Sequence, residues 1–346
     1  MPIFRFDKTL RVTRGVKAFL TFEGGVTRVV TPDAARNGER KKNRRRTRRL
    51  KNEFKSERAE LRRITEDVRA SRRGAGAEEQ IEHVKRAKRK QQEIFRLKNE
   101  LHTAEGAPGT GALPDFVIIG APKCGTTFFY HLLTKHPHVE AAANKEPHFF
   151  DLLFDEGVEW YRQCFVPPRW KDGHKTVTGE GTPSYLFHPH AAERMAEVVP
   201  RARLMVLLRN PVDRAYSAYY HQVRNGGETR TFEEAIEASL AGPRRGQLSQ
   251  GVYVDHLVRW SRFFGDEQML VLKSEDFFEY PREVLERVLD FLDLPEWNPE
   301  DSELRLKRNK GDYVEKMNPT TRRRLEEYFE PHNRRLYEYL GADFGW

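Results

Sequence analysis

The run Phe116-Val117-Ile118-Ile119-Gly120-Ala121-Pro122-Lys123-Cys124-Gly125-Thr126-Thr127 limits what this chain can become more than any other stretch. Its apolar start reads as a buried strand, its glycines bound a tight turn, and Thr126 opens a helix that should reach about Lys135. Strand, turn and helix in that order build an anion cradle, because the first N–H groups and the positive end of the helix face the turn. The Gly120 to Gly125 spacing is that of a nucleotide-binding Walker loop, yet the lysine that should follow the second glycine stands inside the loop as Lys123. Such a loop holds one anionic group and reserves no ligand for magnesium. The plain alternative is an ordinary strand-turn-helix that happens to carry a lysine.

A second element lies near Arg209. Residues Arg203 to Leu208 are almost wholly apolar and predict a buried strand, after which Asn210-Pro211 supplies an N-cap and a first-turn proline. A helix from Pro211 to about Arg224 follows, with Gly226-Gly227 past its end. Arg209 then sits at the carboxyl end of a strand and Ser217 two turns into the next helix, so both can grip one phosphate. Alone, an arginine at a strand end is as often solvated or salt-bridged.

Taken together, the two elements resemble the superfamily of sulfotransferases that use 3′-phosphoadenosine-5′-phosphosulfate (PAPS). The resemblance implies that the loop Pro122-Lys123-Cys124-Gly125-Thr126-Thr127 holds the 5′-phosphosulfate and that Arg209 and Ser217 bind the 3′-phosphate. It also implies that Lys310-Gly311, within Arg308-Asn309-Lys310-Gly311-Asp312-Tyr313, is the late turn that closes over the 3′-phosphate. Within the superfamily the chain most resembles heparan sulfate and bacterial carbohydrate sulfotransferases. That likeness rests on Lys145-Glu146-Pro147-His148-Phe149-Phe150-Asp151, Gly179-Glu180-Gly181-Thr182-Pro183-Ser184-Tyr185-Leu186, the Arg209 to Ser217 segment and the ending Leu340 to Trp346. It covers Pro114 to Trp346 and does not reach the first hundred residues.

Sulfuryl transfer needs in-line attack on sulfur by an alcohol or amine, while charge builds on the bridging oxygen that leaves with the nucleotide. Lys123 beside that oxygen would stabilise the charge, and a carboxylate near the sulfuryl group would take the acceptor's proton. Glu146 is the candidate base, since the resemblance places the family's catalytic glutamate there; otherwise it is a surface glutamate paired with Lys145. His148 would support the acceptor or share the proton, or else be a half-buried packing histidine beside two phenylalanines. Asp151 would orient this cluster or bind sugar. Some of the relatives that the sequence resembles carry lysine where this chain has Gly181, so a contact from that lysine to an acidic sugar is not carried over.

Charge divides the chain. Residues 1–103 hold 30 Lys and Arg against 14 Asp and Glu, whereas residues 104–346 hold 31 against 38. A highly anionic donor must therefore be held by the placement of Lys123, Arg209 and Lys310 and not by the overall charge of the domain. Within the front end, residues 1–38 contain a partly apolar stretch, Phe19 to Val30, with Gly24-Gly25 as a hairpin turn. Residues 39–103 form a basic helical extension: Leu50, Phe54, Leu61, Ile64 and Val68 mark one helix, Gly74-Ala75-Gly76 a break, and Ile81, Val84, Ile94, Leu97 and Leu101 a second. These thin stripes call for a helical hairpin or a self-associating coiled coil. The basic runs suit an anionic lipid surface or a polyanionic acceptor, but glutamates interleave them and no aromatic spacing favours nucleic acid, so a solvated helix face is the simpler reading. Residues 104–113 read as a linker and 114–346 as the catalytic domain.

Two cysteines, Cys124 and Cys164, give no disulfide framework, and the disulfide that several Golgi relatives carry near the lysine-glycine turn has no counterpart here. There is no apolar run long enough for a transmembrane span and no apolar leader core, which sets the expectation of a cytoplasmic enzyme. Farther on, Thr231 and Glu234 spell a capping box, and Tyr253, His256, Leu257, Trp260, Phe263 and Phe264 form a helical stripe suited to packing. Gln268 to Leu272 predicts a strand, Arg282 to Leu292 a helix, and Asn318-Pro319 caps a last helical region interrupted at Pro331. Alternating strands and helices imply an α/β fold with a mostly parallel sheet covered on both faces. Two other functions compete. A nucleotide kinase would need Gly-Lys-Ser/Thr where Gly125-Thr126-Thr127 stands, and a noncatalytic polyanion-binding scaffold leaves Lys123, Glu146, Arg209, Ser217 and Lys310 without a purpose.

Overall fold

The computed structural model describes residues 19–23, 26–30, 45–61, 63–64, 86, 90, 93, 97, 111–224, 228–242, 248–304 and 316–346. At the front, β1 (Phe19–Glu23) and β2 (Val26–Val30) pair antiparallel from Phe19↔Val30 to Glu23↔Val26, the hairpin expected around Gly24-Gly25. A helix, α1, covers 45–61 and includes buried Leu50. Lys90 pairs with Glu57 (2.5 Å) and Glu60 (2.8 Å), and Arg86 with Glu60 (3.3 Å), so the two halves of the basic extension meet side by side. Ile64 and Leu97 are buried as well. Lys310, Gly311 and most positions of the second apolar stripe lie outside the described residues.

The catalytic part is organised by a five-stranded sheet. β3 (Phe116–Gly120), β4 (Val139–Ala141), β7 (Val177–Gly181), β8 (Arg203–Leu208) and β9 (Met269–Lys273) stand in the order β4-β7-β3-β8-β9, and every pairing is parallel. A small antiparallel ribbon, β5 (Trp170–Lys171) and β6 (His174–Lys175), precedes β7 and turns through Asp172 and Gly173, both at positive φ. β3 and Leu204 to Leu208 of β8 read as unbroken apolar or small residues because both faces are covered, and all of them are buried; β7 departs from this by carrying Thr178 and Glu180.

Five further helices matter to the site. α2 (Thr126–Leu133) follows β3 and packs on β3 and β7; α3 (Pro211–Arg224) follows β8. α4 (Tyr253–Trp260) and α6 (Pro319–Leu340) pack together, and α5 (Pro281–Phe291) lies against β9. The Thr231/Glu234 capping box is present in both directions. In the α4 stripe, Tyr253, Leu257, Trp260 and Phe264 are buried, while Phe263 is 44% exposed and drops out of the core. The interruption expected at Pro331 does not occur: α6 runs unbroken through it. Pro331 and Glu327, one turn earlier, are both exposed, so the carbonyl freed by the missing N–H faces water.

Candidate active site

In a parallel sheet the strands β3, β7 and β8 end at one edge, and the loops leaving them define a crevice there. The loop after β3 is held tightly. Lys123 (φ 74°) and Gly125 (φ 85°) both occupy the left-handed region, and a Cβ on Gly125 would stand 2.7 Å from Phe278 Cζ, so only glycine fits. Ser274 Oγ donates to the Cys124 carbonyl at 2.8 Å, which leaves the first-turn amides of α2, at Thr126 and Thr127, directed past Gly125. Cys124 itself is fully buried beneath the loop, and burial pushes its thiol up to about 11.

Arg209, at the end of β8, donates from Nη1 to the Lys123 carbonyl (3.4 Å), and its own carbonyl accepts from Tyr253 Oη (2.8 Å). Asn210 caps α3 as expected, accepting from Val212 N at 3.0 Å and Asp213 N at 3.3 Å. Ser217 lies two turns along that helix. Two residues that sequence reasoning passed over join this group. Burial and then the charges of Arg224 and Arg209 push the Lys123 ammonium below its ordinary value, and burial, Lys123 and Arg224 do the same to His221. Ser217, His221 and Arg224 recur at steps of four and three, one face of α3, which is the signal that was available. Among the described residues no carboxylate pairs with Lys123, Arg209 or Arg224. Like charges crowded without a counter-charge fit a polyanionic ligand such as PAPS.

A carboxylate cluster faces them. Glu146, 39% exposed, is bonded by Lys145 Nζ (2.8 Å) and lies 3.5 Å from His148 Nε2. Lys145 Nζ also donates to the Gly181 carbonyl (3.1 Å), tying the cluster to the end of β7. His148 Nδ1 is 3.0 Å from Asp151 Oδ2, which accepts from Ser184 Oγ at 2.6 Å. Burial alone would raise Glu146, but the His148 hydrogen bond and Lys145 outweigh it and hold the carboxyl at about 2. Burial would lower His148, yet Asp151 and Glu146 raise it to about 9. At neutral pH the pair is carboxylate and imidazolium. His221 feels both Lys123 and Glu146, so it marks where the cationic cluster and the carboxylate meet. By contrast, an open depression of about 560 Å³ bounded by Pro114, Val177 and Arg203 lies at the opposite, amino end of the strands.

Beneath the cluster, Glu180 is fully buried on β7. Its Oε1 accepts from Tyr161 Oη (2.8 Å) and Tyr185 Oη (3.0 Å), and its Oε2 from Thr182 Oγ1 (2.5 Å). Sequence reading quoted Glu180 without giving it a part, because the tyrosines that meet it lie 19 residues upstream and 5 downstream.

A parallel sheet with an anion loop after one strand and an arginine after its neighbour defines a group-transfer domain for a phosphorylated donor. The chain belongs to the sulfotransferase domain family, whose family model matches residues 113–335, and it is a PAPS-dependent enzyme of that family. It is 33% identical over 276 residues to heparan sulfate glucosamine 3-O-sulfotransferase 3A1 of Homo sapiens, a match covering 70% of this chain and 67% of that protein. It is also 33% identical over 262 residues to the 3B1 enzyme of Homo sapiens, covering 69% of this chain and 66% of the relative, so the match spans about two thirds of these relatives. The crystal structure of a sulfotransferase from Alicyclobacillus acidocaldarius superposes with a TM-score of 0.56 at 30% identity, covering 67% of this chain and 98% of that one.

Proposed function

We propose that the chain moves a sulfuryl group from PAPS to a hydroxyl or amine on a carbohydrate, with Glu146 as the base. The observation that carries this reading is the meeting of a cationic cluster, Lys123, Arg209 and Arg224, which pairs with no carboxylate among the described residues, with the Glu146–His148–Asp151 chain across His221. PAPS supplies an activated sulfur whose bond to the bridging oxygen breaks as the acceptor's oxygen or nitrogen bonds to it.

In this reading the Gly125, Thr126 and Thr127 amides and hydroxyls hold the 5′ end, Cys124 lends its backbone to the turn, and Lys123 neutralises charge on the departing oxygen. Arg209 and Ser217 hold the 3′-phosphate, with Lys310-Gly311 closing over it. Glu146, half-exposed and already ionised, takes the acceptor's proton. His148 at about 9 already carries its proton, which favours support of Glu146 and the acceptor over proton relay, and Asp151 keeps that imidazolium in place. A carbohydrate acceptor is supported by the names of the relatives, which act on heparan sulfate glucosamine.

The same reading places the enzyme in a reducing, cytoplasmic compartment, where the free buried thiols of Cys124 and Cys164 stay reduced. The basic extension would self-associate or touch an anionic membrane surface, which sedimentation of the full chain with and without acidic vesicles reads out. Among the described residues no helix is long and apolar enough to cross a membrane. The test of the central claim is calorimetry with adenosine 3′,5′-bisphosphate, followed by incubation with radiolabelled PAPS and glycan extracts. Glu146→Gln should bind the bisphosphate like the wild type and lose turnover by about a hundredfold or more; unchanged turnover rejects the base, and absent binding rejects the whole reading.

A further inference from the structure

We infer that Glu180 is a positioning residue for this reaction, acting through Tyr185 to fix the backbone segment that carries Glu146 and His148. The inference rests on the functional reading above and goes beyond it, since Glu180 touches neither donor nor acceptor. Tyr185 has one hydroxyl proton, and Glu180 Oε1 takes it at 3.0 Å. The lone pairs of the same oxygen are therefore turned toward Phe149, whose buried N–H donates to it at 2.8 Å, with Phe150 N at 3.4 Å. Phe149 directly follows His148, which holds φ 56°, a left-handed conformation that a non-glycine residue keeps only when its surroundings impose it. On its other side the end of β7 reaches the same segment, because Gly181 N donates to the Lys145 carbonyl at 3.0 Å. Glu180 thus determines which way Tyr185 points, and Tyr185 anchors the turn that aims His148 at Glu146 and Asp151.

Three hydroxyls converge on Glu180, an arrangement made for the ionised carboxylate: protonation would leave a donor facing donors. The groups facing it are Tyr161, Thr182 and Tyr185 by hydrogen bond, His148 by its charge, and the side chains of Tyr130 and Cys164, which feel its charge. Burial raises the carboxyl to about 7 against the pull of the three hydroxyls. Its titration therefore falls near neutral pH, and turnover should lose an anchor as pH drops through that value.

Tyr161 provides an internal control. It donates to the same Oε1 as Tyr185, at 2.8 Å, but its bond ends there and does not continue to the 148–150 backbone. The experiment measures the His148 imidazole titration by NMR, together with affinity for adenosine 3′,5′-bisphosphate, in the wild type, Tyr161→Phe, Tyr185→Phe and Glu180→Gln. Tyr185→Phe should lower the His148 pKa by about one or more, as its contacts with Asp151 and Glu146 loosen, whereas Tyr161→Phe leaves it within about 0.3. Bisphosphate affinity should stay within about twofold in all variants, because the donor loop lies on β3 and not on this network. Glu180→Gln should lower the His148 pKa in the same direction as Tyr185→Phe, because the Tyr185 hydroxyl loses the carboxylate that orients it, and no shift in Glu180→Gln overturns the inference. Equal shifts in the two tyrosine variants, or none in Tyr185→Phe, overturn the inference, since a merely structural role treats the two phenols alike. Wild-type protein that fails to bind the bisphosphate overturns the functional reading instead, and the two failures are read on separate instruments.

Discussion

Asp151→Asn should destabilise the protein at neutral pH and leave it nearly unchanged at pH 10. His148 titrates at about 6.5 in an unfolded chain; burial would lower it further in the fold, but the hydrogen bonds it donates to Asp151 and Glu146 raise it to about 9. A raised pKa contributes stability that is complete below the unfolded value and fades as pH climbs through the folded one. By linkage this is on the order of 2 kcal/mol at pH 7 and close to nothing at pH 10. Two carboxylates share the effect, and Asp151, only 5% exposed against 39% for Glu146, takes the larger part. Asparagine keeps an oxygen for the Ser184 hydroxyl, which limits the damage to the lost charge. Urea unfolding of both proteins at the two pH values should therefore give a loss on the order of 1 kcal/mol at pH 7 and almost none at pH 10. The same loss at both pH values would show that packing is at stake, and the account of a charged His148 would fall.

Other expectations follow from the donor side and from the front end. Arg209→Ala should weaken bisphosphate binding by about ten- to a hundredfold while leaving the affinity for adenosine 5′-phosphosulfate, which lacks the 3′-phosphate, close to that of the wild type; titration calorimetry compares them. Gly125→Ala forces a Cβ to 2.7 Å from Phe278 at φ 85° and should cost about tenfold or more in bisphosphate affinity, with thermal melting to confirm that the rest of the fold persists. Deleting residues 1–103 should leave a folded domain that binds the bisphosphate within about threefold of the full chain, because the cationic cluster lies wholly beyond that segment.

The elements that carry Arg209 and Ser217 were legible because their signals are local. β8 and α3 have the bounds expected from the apolar run, the Asn210 cap and Pro211, and these fix where Arg209 and Ser217 stand. β9 and α5 lie one residue from expectation: Gln268 closes the preceding short turn and Pro281 serves as the first helical residue. α2 stops at Leu133, two residues early, with Thr134 as its cap. What stayed hidden depends on pairing between distant segments. β4 has three residues and gains its place only by lying against β7, and the β5–β6 ribbon is too short to leave a periodicity. Glu180 looked like one more charged residue in a polar stretch, and only the fold brings Tyr161 and Tyr185 to it. Pro331 misled because its breaking power was weighed without knowing which side of α6 faces water.

α3 carries Ser217, His221 and Arg224 along one rod and starts two residues after Arg209, so in the proposed reading the groups on the donor side move as a single lever. A change that tilts this lever would displace all three side chains at once, whereas the loop from Asn144 to Asp151 hangs from β7 and the Tyr185 turn and would keep its place.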